Sequence, residues 1–230
     1  MLLPKINVAE IIGVYAGLRP LVANSANSST TKLSREHIVD RPAPGFVSIA
    51  GGKYTTYRIM GKDVIDLAVN DLRRIVADSV TEKLPIIGAD GFFALEQQCA
   101  QLSEISGLTE ATIKHLLNRY GSLINEVLAI MAEDKKMSKP LSPELAYLKA
   151  EVIYAVTHEG AQSVDDVLSR RTRIAFEASD GGESLALPVA TLIAPFLGWD
   201  AAAKKSSAAE YIKLLKSERA ALTKLLAQVS

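Results

Sequence analysis

The chain has 230 residues, of which 48% are hydrophobic, 23% charged and 6% aromatic. This composition is typical of a folded globular protein and excludes a disordered or fibrous chain. Twenty-six basic residues balance twenty-six acidic ones, so the electrostatic footprint of a general nucleic-acid binder is missing. The single cysteine excludes an internal disulfide, and the three scattered histidines give no clustered metal site, so no metal ligand is assigned.

The start of the chain shows no secretory signal, and we take the cytoplasm as the default compartment. The longest uncharged run covers residues 184–199, sixteen positions that include two prolines. A membrane-spanning helix needs about 20 apolar residues. The run therefore predicts a buried core helix, with an interfacial helix as the alternative.

The character of the sequence changes near residue 80. Residues 1–80 carry ten basic and seven acidic side chains and hold short β-type runs separated by glycine, proline and serine. The remainder carries sixteen basic and nineteen acidic side chains, and its apolar residues follow a helical period almost throughout. We therefore predict two domains, residues 1–80 and 81–230.

Three runs in the first domain have the composition of strands: residues 10–15, 37–39 and 46–50. A turn over residues 42–45 joins the last two, and a long helix begins near residue 55 and runs to about residue 76. A sheet of three short strands is marginally stable by itself. The strands are either a small annex to a helical domain or the end of a larger sheet whose other strands are absent.

Capping residues mark the helices of the second domain. Four positions fit the N-cap of a helix, namely Thr109, Ser142, Ser163 and Asp200. Together they predict an all-α bundle of about six helices. The expected fold class is thus α+β but mostly α, with a small remnant β-sheet and one long helix followed by the bundle.

The strongest local motif is AGGKYTTYR, residues 50–58, where a predicted strand runs through Gly51, Gly52 and Lys53 directly into a helix. Glycines let a ligand approach the backbone closely, and a helix start offers free N–H groups to an anion. The alternative is a tight strand-to-helix turn with a threonine cap. The spacing is not that of a P-loop, and no GxGxxG dinucleotide motif occurs in the chain.

Two arginines stand at the ends of predicted strands. Arg19 closes the first strand, and its guanidinium needs either an internal carboxylate or a substrate oxyanion if it is buried. Arg35 precedes the second strand and by itself would be a solvated surface charge. Two guanidinium groups can fork onto one phosphate, and an ammonium adds a point charge. Arg19, Arg35 and Lys53 together therefore predict an anion pocket.

These motifs resemble those of a known family. The strings GLRPLV, SREHIV and PGFVSIAGGKYTTYRIMGKDVIDLAV, in this order, are similar to the FAD-dependent glycerol-3-phosphate dehydrogenases. The later strings LSPELAYLKAEVIYAVTHEGAQSVDDVLSRRTRIAF and LGWD resemble the helical C-terminal domain of the same family. The resemblance extends over residues 10–200.

The resemblance implies a role for each site residue. Arg19 and Arg35 would hold the phosphate of glycerol 3-phosphate, and Lys53 would lie beside flavin and substrate as a substrate-binding and catalytic residue. An ammonium and a helix start near the flavin would stabilise the reduced cofactor and assist hydride transfer from the substrate, which becomes dihydroxyacetone phosphate. The turn that would approach the FAD with its backbone consists of Gly51, Gly52, Lys53, Tyr54, Thr55 and Thr56.

The sequence departs from the family pattern in one respect. Family members begin with an FAD-binding half that carries GxGxxG and a histidine base, and this chain shows neither. It resembles the C-terminal portion of such an enzyme, and we expect it alone neither to retain FAD nor to turn over substrate.

The resemblance also implies partners for the parent enzyme. They are the missing N-terminal FAD-binding domain and a quinone acceptor. Two further points stay open, namely whether the enzyme forms a homodimer and whether it contacts the inner face of the cell membrane peripherally. Two alternatives remain, a fragment of a glycerol-3-phosphate oxidase that uses oxygen and a non-enzymatic helical interaction module.

Overall fold

The computed structural model describes residues 17, 18, 22, 36–72 and 74–229. These residues fall into two compact units that divide between Ile86 and Ile87. Among them, the first unit contains β1 (His37–Ala43), β2 (Phe46–Gly51) and α1 (Tyr57–Val69). Within the same described ranges, the second unit contains α2 (Phe92–Gln97), α3 (Cys99–Ser106), α4 (Glu110–Tyr120), α5 (Ile124–Glu133), α6 (Lys149–Thr157), α7 (Ile174–Glu177), α8 (Ala186–Leu197) and α9 (Ala201–Val229).

The mostly helical fold with a small β-annex is confirmed. The described part of the second unit has eight α-helices where the sequence suggested about six, because three of the eight are short. Two of these short helices, α2 and α3, occupy residues 92–106. They precede Thr109, the first N-cap that the sequence predicted, so no cap signal indicated them. The third, α7, is a single turn of four residues.

β1 and β2 form an antiparallel hairpin, as residues 37–39 and 46–50 predicted. His37 pairs with Gly51 and Val39 pairs with Ile49, and the register shifts between Asp40 and the end of β1. The connecting turn contains Gly45, whose φ of 74° suits glycine. The run 10–15, predicted as a further strand, lies outside the described residues.

The first unit has no buried residue within the described ranges 36–72 and 74–86. Ile59 and Ile65 on α1 are more than half exposed. A hairpin and one helix offer too few layers to enclose a core of their own. The exposed apolar surface therefore favours the interpretation that the hairpin is the end of a larger sheet.

Helix α1 ends at Val69, about seven residues earlier than predicted. Asn70 is its C-cap, and the Arg41 guanidinium of β1 donates to the carbonyl of Leu67 in the last turn at 2.9 Å. This bond satisfies one of the carbonyls that a helix end leaves without a partner. Leu72, which lies within the predicted helix but beyond the observed one, is 46% exposed.

Three of the predicted caps are confirmed in the second unit. The Thr109 hydroxyl accepts the backbone N–H three residues ahead at 3.2 Å, and Asp200 accepts that of Ala203 at 2.7 Å. The Ser163 hydroxyl accepts the backbone N–H of Asp166 and in turn donates to its carboxylate, both at 3.0 Å. Such side-chain caps supply acceptors to the first N–H groups of each helix.

The prediction that Ser142 begins a long helix is wrong, because α6 begins only at Lys149. The Ser142 hydroxyl closes a single turn, and Pro140 and Leu148 then form an antiparallel bridge that keeps the backbone extended. The cap of α6 is Glu151, whose Oε2 accepts the N–H of Leu148 at 2.7 Å. The N-cap residue of α6, Leu148, is apolar, so a search of the sequence for hydroxyl caps does not find the start of this helix.

The helix opened by Ser163 winds as a π-helix over Asp166–Arg171. The buried Thr172 donates both its backbone N–H, at 2.8 Å, and its hydroxyl, at 2.7 Å, to the carbonyl of Val167, five residues earlier. The wider turn brings Val167, Leu168 and Ile174 all into the core. A period of 3.6 residues does not predict such a turn.

The core of the second unit has two parts. Fully buried apolar side chains contribute about 1.5–3 kcal/mol each relative to exposure. The part built around α4 and α5 includes Ile113, Leu116, Ile124 and Val127, and Cys99 is a small core residue there. The part built around α6 and α8 includes Val152, Val164, Leu168, Val189 and Ile193.

The uncharged run 184–199 forms α8, as the core-helix prediction required. Val189 and Ile193 on its inner face are fully buried. Phe196 on its outer face is half exposed and lines a cavity of about 650 Å³ shared with α5 and α6. None of the described helices combines the length and the apolar character that a membrane crossing requires.

A buried carboxylate joins α4 to α6. Glu151 has no exposed surface. Its Oε1 accepts hydrogen bonds from His115 Nε2 and the Tyr120 hydroxyl, both at 3.1 Å, and Arg119 Nε lies 3.2 Å away. Burial raises the pKa of Tyr120, which keeps the phenol protonated as a donor. Glu151 thus accepts hydrogen bonds from two groups of α4, pairs its charge with Arg119 and caps its own helix.

We expect Glu151→Ala to lower the free energy of unfolding by about 3–5 kcal/mol, because it leaves buried donors and the Arg119 charge without their acceptor. Urea unfolding followed by circular dichroism measures this loss. Glu110→Ala is the matched control, since Glu110 forms an exposed ion pair with Lys114 at 4.0 Å and its loss costs less than about 1 kcal/mol. Equal losses in the two variants would show that Glu151 does not tie the helices together.

A second carboxyl, Glu159, follows α6 and is half buried. Its Oε2 has no hydrogen-bond partner within the described part of the chain. Burial raises the pKa of Glu159, although the charges of Arg119 and Arg171 act against this shift. The folded protein therefore disfavours the ionised form of Glu159.

A carboxyl with a raised pKa in the folded state contributes most favourably below its unfolded pKa, and that contribution is lost as the pH rises through the folded pKa. We expect Glu159→Gln to raise the melting temperature at neutral pH, with a gain that shrinks as the pH falls toward 4.5, the ordinary value. Thermal melts across this pH range measure the effect. The exposed Glu144→Gln serves as the control, and a gain independent of pH contradicts the assignment.

Candidate functional site

The motif at residues 50–58 forms the strand-to-helix turn that the sequence predicted. β2 ends at Gly51, and Gly51 and Gly52 have φ angles of 80° and 81°. Only glycine adopts such angles without strain. The chain then forms one 3₁₀ turn, Tyr54–Thr56, which continues into α1.

The packing of the turn itself explains both glycines. A Cβ on Gly51 would lie 2.6 Å from Val22 Cγ2 and 2.7 Å from the carbonyl oxygen of Glu36. A Cβ on Gly52 would lie 2.4 Å from Met60 Sδ. The sequence offered close approach of a ligand as the reason for the glycines, and the described structure shows contacts within the chain that require them.

A closed ring of hydrogen bonds fixes the first helical turn. The Lys53 backbone N–H donates to Thr56 Oγ1 at 3.1 Å, and the Thr56 hydroxyl donates to the Lys53 carbonyl at 3.0 Å. Lys53, Tyr54 and Thr55 are exposed, Tyr54 to 94%. The first N–H groups of a helical segment have no acceptor within it. An ammonium and main-chain donors therefore share this surface.

This donor set suits an electron-rich oxygen or nitrogen. It combines one positive charge with the positive end of a helix, and residues 50–58 contain no carboxylate. A flavin presents such atoms along the edge of its pyrimidine ring, so the residues fit the cofactor that the resemblance implied. Among the described residues, no group of three or more His, Cys, Asp or Glu side chains could hold a metal ion.

The predicted anion pocket is described only in part. Arg19 and Arg35 lie outside the described residues, so their convergence with Lys53 stays a prediction. The roles of Gly51, Gly52, Tyr54, Thr55 and Thr56 toward FAD also stay predictions. What the structure gives for these positions is a turn with exposed donors at its start.

Two polar ties between β1 and α1 escaped the sequence analysis. His37 Nε2 lies 2.8 Å from Asp63 Oδ2. Arg41 contacts Asp71 at 3.2 Å, in addition to its bond with the Leu67 carbonyl. Neither tie has a local signal in the sequence, because His37 and Asp63 lie 26 positions apart and Arg41 and Asp71 lie 30 apart.

We expect Gly51→Ala to loosen the hairpin far more than Gly45→Ala. Both glycines have positive φ, but a Cβ on Gly45 meets open space, whereas a Cβ on Gly51 meets the Glu36 main chain. The left-handed backbone alone costs roughly 1–2 kcal/mol in both variants, and overpacking adds about 1–3 kcal/mol at Gly51. Amide hydrogen exchange of the hairpin measures the difference, and equal exchange rates contradict the packing explanation.

Comparison with known proteins places the chain in a family. Residues 79–204, more than half of the chain, match the model for the C-terminal domain of alpha-glycerophosphate oxidase. Glycerol-3-phosphate dehydrogenase 2 of Mycobacterium tuberculosis is 48% identical over 210 residues, which cover 91% of this chain and 36% of that protein. Glycerol-3-phosphate dehydrogenase of Mycobacterium leprae is 49% identical over 193 residues, which cover 84% of this chain and 33% of that protein.

A solved structure shares the fold. The glycerol-3-phosphate dehydrogenase from Bacillus halodurans, complexed with FAD, superposes with a TM-score of 0.62 and 24% identity. The match covers 74% of this chain and 35% of that one. The chain thus spans about a third of the length of the relatives that it matches. Because the family model matches more than half of the chain, the chain belongs to the family of the C-terminal domain of alpha-glycerophosphate oxidase.

Proposed function

We propose that this chain is the C-terminal portion of an FAD-dependent glycerol-3-phosphate dehydrogenase. The parent enzyme oxidises glycerol 3-phosphate to dihydroxyacetone phosphate. The observation that carries the proposal is the glycine turn, whose exposed Lys53 and helix start sit within a segment similar to two mycobacterial glycerol-3-phosphate dehydrogenases. FAD, when bound, supplies the acceptor for the hydride that leaves C2 of the substrate.

In this proposal the residues of the turn stabilise negative charge on the flavin and hold the main-chain donors in place. The Lys53 ammonium and the N–H groups of Tyr54 and Thr55 form one set of donors, and such donors favour the negative charge that develops on the flavin during oxidation of the substrate. Thr56 holds the turn through its two hydrogen bonds with Lys53. The main-chain donors therefore need no reorganisation during the reaction.

Arg19 and Arg35 hold the substrate phosphate in this proposal. Guanidinium groups match phosphate oxygens in pairs of parallel hydrogen bonds, which fixes orientation as well as affinity. A substrate held by its phosphate presents the C2 hydrogen at a constant distance from the acceptor, and such orientation accounts for much of a catalytic rate. The segments GLRPLV and SREHIV carry the two arginines.

The parent enzyme contains further parts. An N-terminal FAD-binding domain supplies the remainder of the cofactor site and the catalytic base. This agrees with the match to the Mycobacterium tuberculosis relative, of whose length the chain covers 36%. The chain alone then neither retains FAD nor turns over substrate. In this proposal a quinone accepts the electrons, and the enzyme is cytoplasmic with a peripheral contact on the inner face of the cell membrane.

A second candidate is a glycerol-3-phosphate oxidase that passes electrons to oxygen. The family model supports it, because that model is named for alpha-glycerophosphate oxidase. Parallel assays of the full-length protein with a soluble quinone and with oxygen separate the two. Quinone reduction that greatly exceeds hydrogen peroxide formation supports the dehydrogenase.

We expect Arg19→Ala in the full-length enzyme to raise the KM for glycerol 3-phosphate by roughly tenfold to a hundredfold, because a hydrogen bond to a charged group contributes about 1.5–3 kcal/mol. Steady-state kinetics measure the change. Arg173→Ala is the control, since the Arg173 side chain is 75% exposed and forms a surface ion pair with Glu177. An unchanged KM in the Arg19 variant contradicts the phosphate role.

A further inference from the structure

His37 lies directly against the glycine turn. It pairs with Gly51 across the hairpin, and its Cβ would be 3.3 Å from a Cβ on Gly52. The His37 side chain is only 18% exposed, and its Nε2 lies 2.8 Å from Asp63 Oδ2. Asp63 is the seventh residue of α1, about two turns from the start of the helix.

Asp63 can bond His37 because the neighbouring Lys62 forms its ion pair with another carboxylate, Asp66. Lys62 pairs with Asp66 one turn later, at 2.7 Å. Asp63 is 42% exposed, so the pair lies at the edge of the unit and not in a core. The bond with His37 therefore spans from the first residue of β1 to α1.

The location of Lys53 depends on the angle between β2 and α1. Lys53 is the second residue after Gly51, and the helical segment begins with the next residue. The ring with Thr56 fixes the turn locally, but it does not fix the helix against the strands. Among the described residues, His37 and Asp63 form the polar tie between strand and helix nearest to this turn.

We propose that His37 and Asp63 are a positioning pair for Lys53, which they keep at a constant place beside the flavin without touching cofactor or substrate. This inference rests on the proposed function. Loss of the pair lets α1 shift against the hairpin and moves the ammonium. A misplacement of about 1 Å by a residue remote from the chemistry can reduce a rate by roughly a hundredfold.

The matched control lies on the same strand and helix. Arg41 and Asp71 also tie β1 to α1, but at the far end of the helix, where Arg41 meets the Leu67 carbonyl and Asp71 follows the C-cap. A purely structural role predicts that Asp63→Ala and Asp71→Ala have the same effects. A positioning role predicts that only Asp63→Ala alters the properties of the flavin.

The test uses the full-length, FAD-loaded enzyme that contains this chain. We expect Asp63→Ala and Lys53→Ala each to lower the reduction potential of the flavin, measured by spectroelectrochemistry, and to lower kcat by roughly tenfold to a hundredfold. The double variant should have the potential of Lys53→Ala alone, because Asp63 acts through Lys53. Asp63→Asn keeps a hydrogen-bond acceptor for His37 and should restore the potential.

The outcomes separate the inference from the proposed function. A Lys53→Ala enzyme with unchanged potential and kcat overturns the proposed role of the turn, and the inference with it. A lowered potential for Lys53→Ala but not for Asp63→Ala overturns the inference alone, as do additive effects in the double variant or equal effects of Asp71→Ala. FAD content and melting temperature of each variant establish that the comparison is made on folded enzyme, and His37→Phe, which removes the same bond from the strand side, replaces Asp63→Ala if the latter does not fold.

Discussion

The course of the chain between β2 and α1 depends on two consecutive residues without side chains. Gly51 and Gly52 both take φ near 80°, and the space beside each is filled by Glu36, Val22 or Met60. A side chain at Gly51 would press on the main chain of Glu36 beside β1, and one at Gly52 would press on Met60 of α1. The same constraint determines where Lys53 emerges, so the packing of the hairpin and the chemistry proposed for the turn have one origin.

Local sequence signals predicted what depends on neighbouring residues. The hairpin strands, the cap at Thr109 and the turn at Gly51 follow from residues a few positions apart. The end of α1 does not, because Arg41 reaches the Leu67 carbonyl from 26 positions away, through a contact that only the folded chain creates. The start of α6 was missed for another reason: its cap is local, but it comes from Glu151 three positions after Leu148 and not from a hydroxyl at the N-cap.

The candidate site follows the same division. Its glycines, lysine and threonines are contiguous, so the motif was visible before the structure. The contact between His37 and Asp63 joins residues 26 positions apart, and hairpin register was needed to bring it to Gly51. For Arg19 and Arg35 the argument depends on sequence similarity, since both lie outside the described residues.

Different forces stabilise the interior of each of the two units. Burial of apolar side chains dominates in the helical unit, whereas within the described ranges 36–72 and 74–86 no side chain is buried and polar ties such as Arg41 with Asp71 carry more of the cohesion. Dissolved ions screen an accessible ion pair, but sulfate and phosphate strengthen apolar burial. A rise in sulfate or phosphate concentration therefore acts in opposite directions on the two parts of one polypeptide, and the choice of salt helps to decide which part opens first.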